Sequence, residues 1–164
     1  MDATKTLVID TNVFVDCCTL ERDWALNCVK IVLKIHDGDV RIGVDSEGKI
    51  IEEYVSNLRL YDRKDVVATT ILQIIRNQKR SLKSVKSYIP IRESKVKHLI
   101  KNGFHENDIK FVRIAPLTTL KLIVSSDSKS FVKKEFKDWI AKNLEVDVKM
   151  PSEYEEIKPR LEIN

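Results

Sequence analysis

Thr6-Leu7-Val8-Ile9-Asp10-Thr11-Asn12 decides how this chain is read: a short, apolar, largely β-branched run that stops at polar residues suited to opening a helix. It predicts a buried first strand with an acid at its carboxyl end. Further along, Ala25, Cys28, Val29, Val32 and Ile35 recur at helical spacing and stop at Asp37-Gly38-Asp39, a helix-ending signal. Val40, Ile42 and Val44 alternate with polar residues as a second strand, which turns at Asp45-Ser46-Glu47-Gly48 into a helix carrying Ile51, Tyr54, Val55 and Leu58. The order to this point reads β-α-β-α. Helical stripes come next at Val67, Ile71, Ile74 and Ile75, at Val96, Leu99 and Ile100 up to Gly103, and at Phe111, Ile114 and Ala115. Leu122-Ile123-Val124 is a third buried strand, and it too ends in small polar residues and an acid, Ser125-Ser126-Asp127. Val132, Phe136, Trp139 and Ile140 form an amphipathic helix, and Val146-Asp147-Val148 an edge strand. Parallel strands need crossover connections, so this alternation predicts an α/β fold: one domain with a central, mainly parallel sheet flanked by helices on both faces.

At 164 residues the chain is long enough for one such core without disulfides or structural metal. The domain is expected over residues 1–149, with an acidic, proline-punctuated tail over 150–164 that would pack on the body, join a dimer or cover the site. Hydrophobic residues at 43% and charged residues at 33%, with 4 Gly and 4 Pro, exclude disordered, collagen-like and linker-rich classes. No apolar run approaches the ~18 residues of a membrane span and no signal-peptide pattern opens the chain, so a cytoplasmic protein with no membrane partner is expected. Cys17, Cys18 and Cys28 contain no C-x-x-C pair, which fits small buried hydrophobes in a reducing compartment rather than a zinc finger.

Charge is unevenly placed. Residues 76–97 hold eight Lys or Arg against one acid, Glu93; this stretch alone carries +7, leaving −3 for the rest of a chain whose total is +4. Within it Arg76, Lys79, Arg80, Lys83 and Lys86 are candidate nucleic-acid-binding residues. The last four recur at intervals of about three, so that as a helix they share one face suited to tracking a phosphate backbone.

Asp10 and Asp127 each follow an apolar strand, so in a parallel sheet both project from one rim, where ligands of such sheets bind. Alone, each is what a helix N-cap wants. As a pair, two acids on one rim repel, and the commonest reason to keep them there is a divalent cation. Glu52 or Glu53, near the start of the helix after the second strand, and Asp108, at the start of the helix before the third, can complete the set. Oxygen-only ligands suit Mg²⁺ or Mn²⁺, whereas His36, His98 and His105 lack metal-type spacing.

Asp10-Thr11-Asn12-Val13 after strand one, Glu53-Tyr54, Asp108 seven residues ahead of Ala115, and Ser125-Ser126-Asp127 after the later strand together resemble a PIN-domain nuclease, over about residues 5–139. The resemblance implies a metal-dependent endoribonuclease on a parallel sheet, of the kind used in RNA processing or as the toxin of a toxin–antitoxin pair. It makes Asp10, Glu53, Asp108 and Asp127 the catalytic, metal-binding quartet with Mg²⁺ or Mn²⁺. It also makes Asn12, Thr11 and Ser125 supporting residues, RNA the substrate and, in the toxin case, a protein inhibitor the partner; Glu52 is kept as a supporting residue beside Glu53, and a homodimer stands as one option for the tail. Glu53 is preferred over Glu52 for its place before Tyr54, since adjacent helical residues point about 100° apart. Two rivals are weighed. A PIN-like fold kept as a silent RNA-binding or assembly module would usually have lost some of its acids. A haloacid-dehalogenase-type phosphatase wants a second Asp two residues after the first, where this chain has Asn12.

Overall fold

The centre of the molecule is β1 (Lys5–Ile9), in which Leu7, Val8 and Ile9 are wholly removed from solvent. The computed structural model describes residues 5–61, 65–77, 82–85 and 91–162. Among them β1, β2 (Val40–Asp45), β3 (Leu82–Val85), β4 (Leu122–Val124) and β5 (Asp147–Lys149) form one sheet in the order β3-β2-β1-β4-β5. Every neighbouring pair is parallel, with Leu7 opposite Ile42, Ile9 opposite Val124 and Val124 opposite Lys149. Burial on both faces explains why β1 and β4 are unbroken apolar runs rather than alternating ones. The α/β fold with a parallel central sheet is therefore as the sequence predicts.

The chain moves outward from β1 to β2 and β3, then returns to the other side of β1 for β4 and continues to β5. The crossovers to β2 and β3 run through α1 (Thr11–Thr19), α2 (Ala25–Asp37), α3 (Lys49–Leu58) and α4 (Val66–Arg76). The return to β4 and the step to β5 run through α5 (Glu93–Lys101), α6 (Ile109–Ile114) and α7 (Lys134–Leu144). Between β1 and β4 the direction of travel reverses, which opens a crevice at their carboxyl ends.

Three elements differ from the sequence expectation. Two helices, not one, join β1 to β2, because Thr11–Thr19 closes its own helix with Leu20 in the left-handed conformation at φ 55°. Leu82–Val85 within the basic stretch is an edge strand paired to β2, with Lys83 opposite Gly43, so the spacing of the lysines does not create a helical face there. Lys79, Arg80 and Lys86 lie outside the described residues. The third is α8 (Tyr154–Leu161), which buries Tyr154, Ile157 and Leu161 and ties back through Arg160 to Asp147 at 2.9 Å. Of the three expectations for residues after 150, packing on the body is the one observed. Cys17 and Cys28 are buried and all three cysteines are free thiols. No helix among the described residues is long and apolar enough to cross a membrane.

Tyr54 locks α3 to the end of β1. It is completely buried, its hydroxyl donates to the carbonyl oxygen of Ile9, and its ring meets Phe14 edge-on at 4.9 Å and Phe111 at 6.2 Å. Tyr54→Phe keeps the ring but strips the Ile9 carbonyl of this donor. Its expected cost is about 1–3 kcal/mol, measured as a lower midpoint in urea unfolding with an unchanged slope.

Candidate functional site

The crevice at the carboxyl ends of β1 and β4 is an open cleft of about 350 Å³ whose walls include Asp10, Glu53, Asp108 and Asp127. Four separate segments supply them. Asp10 follows β1 directly and Asp127 comes three residues after β4. Asp108 ends a short turn that leads into α6, and Glu53 lies in α3 beside the anchored Tyr54. The parallel ladder sets the first two side by side: the Asp10 amide donates to the Val124 carbonyl at 2.9 Å, so Asp10 and Ser125 leave the sheet together.

Asp10 stands at the N-cap position of α1, and its carbonyl accepts from the Val13 amide, yet its side chain makes no capping hydrogen bond. The carboxylate turns instead to the crevice, where the Ser125 hydroxyl donates to Oδ2 at 2.7 Å and the Asn12 amide lies at 3.4 Å. Ser125 also accepts from the Asp127 amide at 3.0 Å, so one fully buried hydroxyl ties both acids to the rim. Asp127 bends its own loop, accepting from the Lys129 amide at 2.9 Å in the way Asp residues stabilise tight turns. Asp108 accepts from the hydroxyl of Ser130, which is buried and also takes the His105 amide at 3.2 Å. Glu53 is held at both oxygens, by the Thr11 hydroxyl on Oε1 and the Lys110 ammonium on Oε2.

These acids feel one another. The Asp10 carboxyl, 2% exposed, is pushed up from 3.8 to about 7, mainly by burial and further by the negative charges of Asp108, Asp127 and Glu53, against the pull of the Ser125 hydrogen bond. Asp108 rises to about 6, again mainly through burial, with Asp127 and Glu53 adding repulsion and Ser130 and His105 opposing it. Two carboxylic acids that titrate near neutrality in one cleft are the pattern expected of a site that works with charge.

The predicted residues do not all converge. Thr11 and Asn12 line the cleft and Ser125 underlies it. Glu52 is exposed and absent from the cleft wall, because the turn of α3 that brings Glu53 inward sends its neighbour out. Arg76 lines a different groove with Arg59, Tyr61 and Gln73, so it takes no part in the acidic cleft. Among the described residues, the lysines that reach the cleft are Lys110, through Glu53, and Lys129 in its wall, which His105 also lines. Sequence reading passed over both lysines, although each sits two residues after an acid of the quartet, in Asp108-Ile109-Lys110 and Asp127-Ser128-Lys129.

The groups in the wall that could ligate a cation are mostly oxygens: four carboxylates, the Thr11 hydroxyl and the amide oxygens of Asn12, Asn57 and Asn107, beside the His105 imidazole. That chemistry fits Mg²⁺ or Mn²⁺ and not zinc. As the side chains stand, no group of three or more His, Cys, Asp or Glu among the described residues is drawn together tightly enough to hold an ion. Each acid is instead satisfied by a protein donor.

No protein-family model matches this chain, and no curated protein matches it. The cleft's residues therefore carry the functional argument.

Because the folded pKa of Asp10 lies above its unfolded value, the proton it retains stabilises the fold below about pH 4, and that contribution is lost as pH rises through about 7. Stability of the metal-free protein is expected to fall by on the order of a few kcal/mol across that window. Chemical denaturation in a pH series measures this; Asp10→Asn should flatten the profile.

Proposed function

We propose that this chain is a metal-dependent endoribonuclease of the PIN-domain type, hydrolysing RNA phosphodiester bonds at the acidic cleft. The observation that carries the reading is the convergence of Asp10, Glu53, Asp108 and Asp127 from four segments onto one crevice at the sheet's switch point. Nothing in the core requires four acids there: Asp10 forgoes its capping bond, and its burial with like charges nearby works against folding. Such a cost is accepted most readily where the charges do chemistry.

Asp10 and Asp127 would hold a divalent cation, with Asp108 and Glu53 completing the set directly or through water. A bound Mg²⁺ or Mn²⁺ supplies an activated water and neutralises charge on the phosphoryl oxygens. The chain's own residues do the rest. Ser125, donating to Oδ2 of Asp10, holds that carboxylate at the rim of the cleft. Burial raises the Asp10 carboxyl in the metal-free cleft, and a bound cation would favour its ionised, ligating form. Lys129 stands in the wall where a phosphate of the substrate would pass. The products expected are 5′-phosphate and 3′-hydroxyl ends.

RNA is favoured as substrate by the +7 stretch over residues 76–97 together with the resemblance to ribonucleases. The strip is expected to act outside the cleft, since Arg76 faces another groove and Lys83 belongs to the edge strand β3.

Metal-stripped protein given labelled single-stranded RNA, with matching DNA alongside, is expected to cleave only the RNA, and only when Mg²⁺ or Mn²⁺ is restored. Asp10→Asn and Asp127→Asn should each lower the rate by at least about 100-fold, the usual scale for removing a group that holds the reacting centre. Salt-sensitive RNA binding without cleavage, surviving both substitutions, would replace the enzyme with a silent binding module.

A further inference from the structure

Lys110 reaches the cleft through Glu53, and the proposed chemistry gives it no part. It lies in the first turn of α6, two residues after Asp108, and its ammonium pairs with Oε2 of Glu53 in α3. The pair is sheltered: the two side chains are 22% and 23% exposed, so solvent and salt screen it less than an ordinary surface pair. Glu53's other oxygen is engaged by Thr11, which leaves the carboxylate no oxygen without a protein donor. The same ammonium, while paired with Glu53, also lies 5.4 Å from the centre of the Phe111 ring. Lys129, by contrast, lines the same cleft and bonds through its amide to Asp127, while the Glu53 carboxylate is held by Lys110 and Thr11.

A cation already bonded to one ligand of a prospective metal site competes with the metal for it. The measured affinity then falls by the fraction of time in which that ligand is available. We propose that Lys110 is a displaceable counter-cation of Glu53: it balances the acidic cleft in the resting protein and sets the concentration of divalent cation needed to recruit Glu53. The inference rests on the metal-site reading above, and it assigns Lys110 as a positioning residue acting through Glu53.

The test is Mn²⁺ binding to the full chain, followed by electron paramagnetic resonance of the free ion, so that no activity is needed. Lys110→Met is expected to bind Mn²⁺ about tenfold more tightly than wild type, as when a ligand otherwise available a tenth of the time becomes always available. Lys110→Arg, which keeps the ion pair, should stay near wild type. Lys129→Met removes the same charge from the same cleft without touching Glu53 and should shift affinity far less. In a Glu53→Gln background, Lys110→Met should have no further effect. Should Lys110→Met not fold, Lys110→Gln replaces it.

Equal tightening by Lys129→Met, or persistence of the Lys110 effect without the Glu53 carboxylate, would reduce Lys110 to general electrostatics and overturn the proposal. Mn²⁺ binding that Asp10→Asn abolishes but Lys110→Met leaves unchanged would overturn this inference alone. Absence of any Asp10-dependent Mn²⁺ binding would overturn both it and the metal-site reading.

Discussion

The pairing of β1 with β4 is the constraint on which the rest depends. Both strands are apolar on both faces and can exist only inside the sheet, and their register sets Ile9 opposite Val124. The next residue of each strand must then emerge at one rim, at the point where the chain reverses its direction across the sheet. Asp10 emerges on one side and Ser125 on the other, 2.7 Å apart through their side chains. A carboxylate is thereby brought to a nearly dry place by strand pairing and the Ser125 hydroxyl, and the protein meets each acid of the cleft with a donor.

The responses form a graded set. Closest in is a neutral hydroxyl, Ser125, which satisfies Asp10 without cancelling its charge. Farther out, Asp127 takes the Lys129 amide of its own loop, and Asp108 takes the hydroxyl of Ser130 from that same loop, which ties the two acid-bearing segments together. Among the described residues, Glu53 is the one acid of the four met by a full opposite charge, Lys110. Tyr54, bonded to the Ile9 carbonyl at the end of the strand that carries Asp10, holds the Glu53 helix against the same rim. Packing and electrostatics are thus not separable here: the aromatic cluster of Phe14, Tyr54 and Phe111 is what brings a third and a fourth acid within reach.

Much of this is legible in the sequence, for identifiable reasons. Buried parallel strands are short, apolar and β-branched, so β1 and β4 announce themselves, and with them the acids at their ends. Strand β3 is not legible, because it sits at the sheet edge within a lysine-rich stretch that lacks the apolar run of a central strand. Helix α8 is masked by Pro159 and by its charge, although Tyr154, Ile157 and Leu161 mark its buried face. Among the site residues, Glu53 can be separated from Glu52 by the neighbouring Tyr54. Lys110 and Lys129 cannot be weighed, since a lysine near an acid is common in any sequence.

By itself, then, the sequence determined the class of fold, the central strands and the acids that terminate them, because these arise from local hydrophobic pattern and from the rule that parallel strands need crossovers. Only the tertiary structure decided which charges meet. Asp108 and Glu53 are 55 residues apart in the chain, and their influence on Asp10 exists only once α3 and α6 pack at one end of the sheet. The choice of Lys110 over the richer basic stretch as Glu53's partner has the same origin. An ion pair depends on distance and shelter from water, and neither is written in the order of residues.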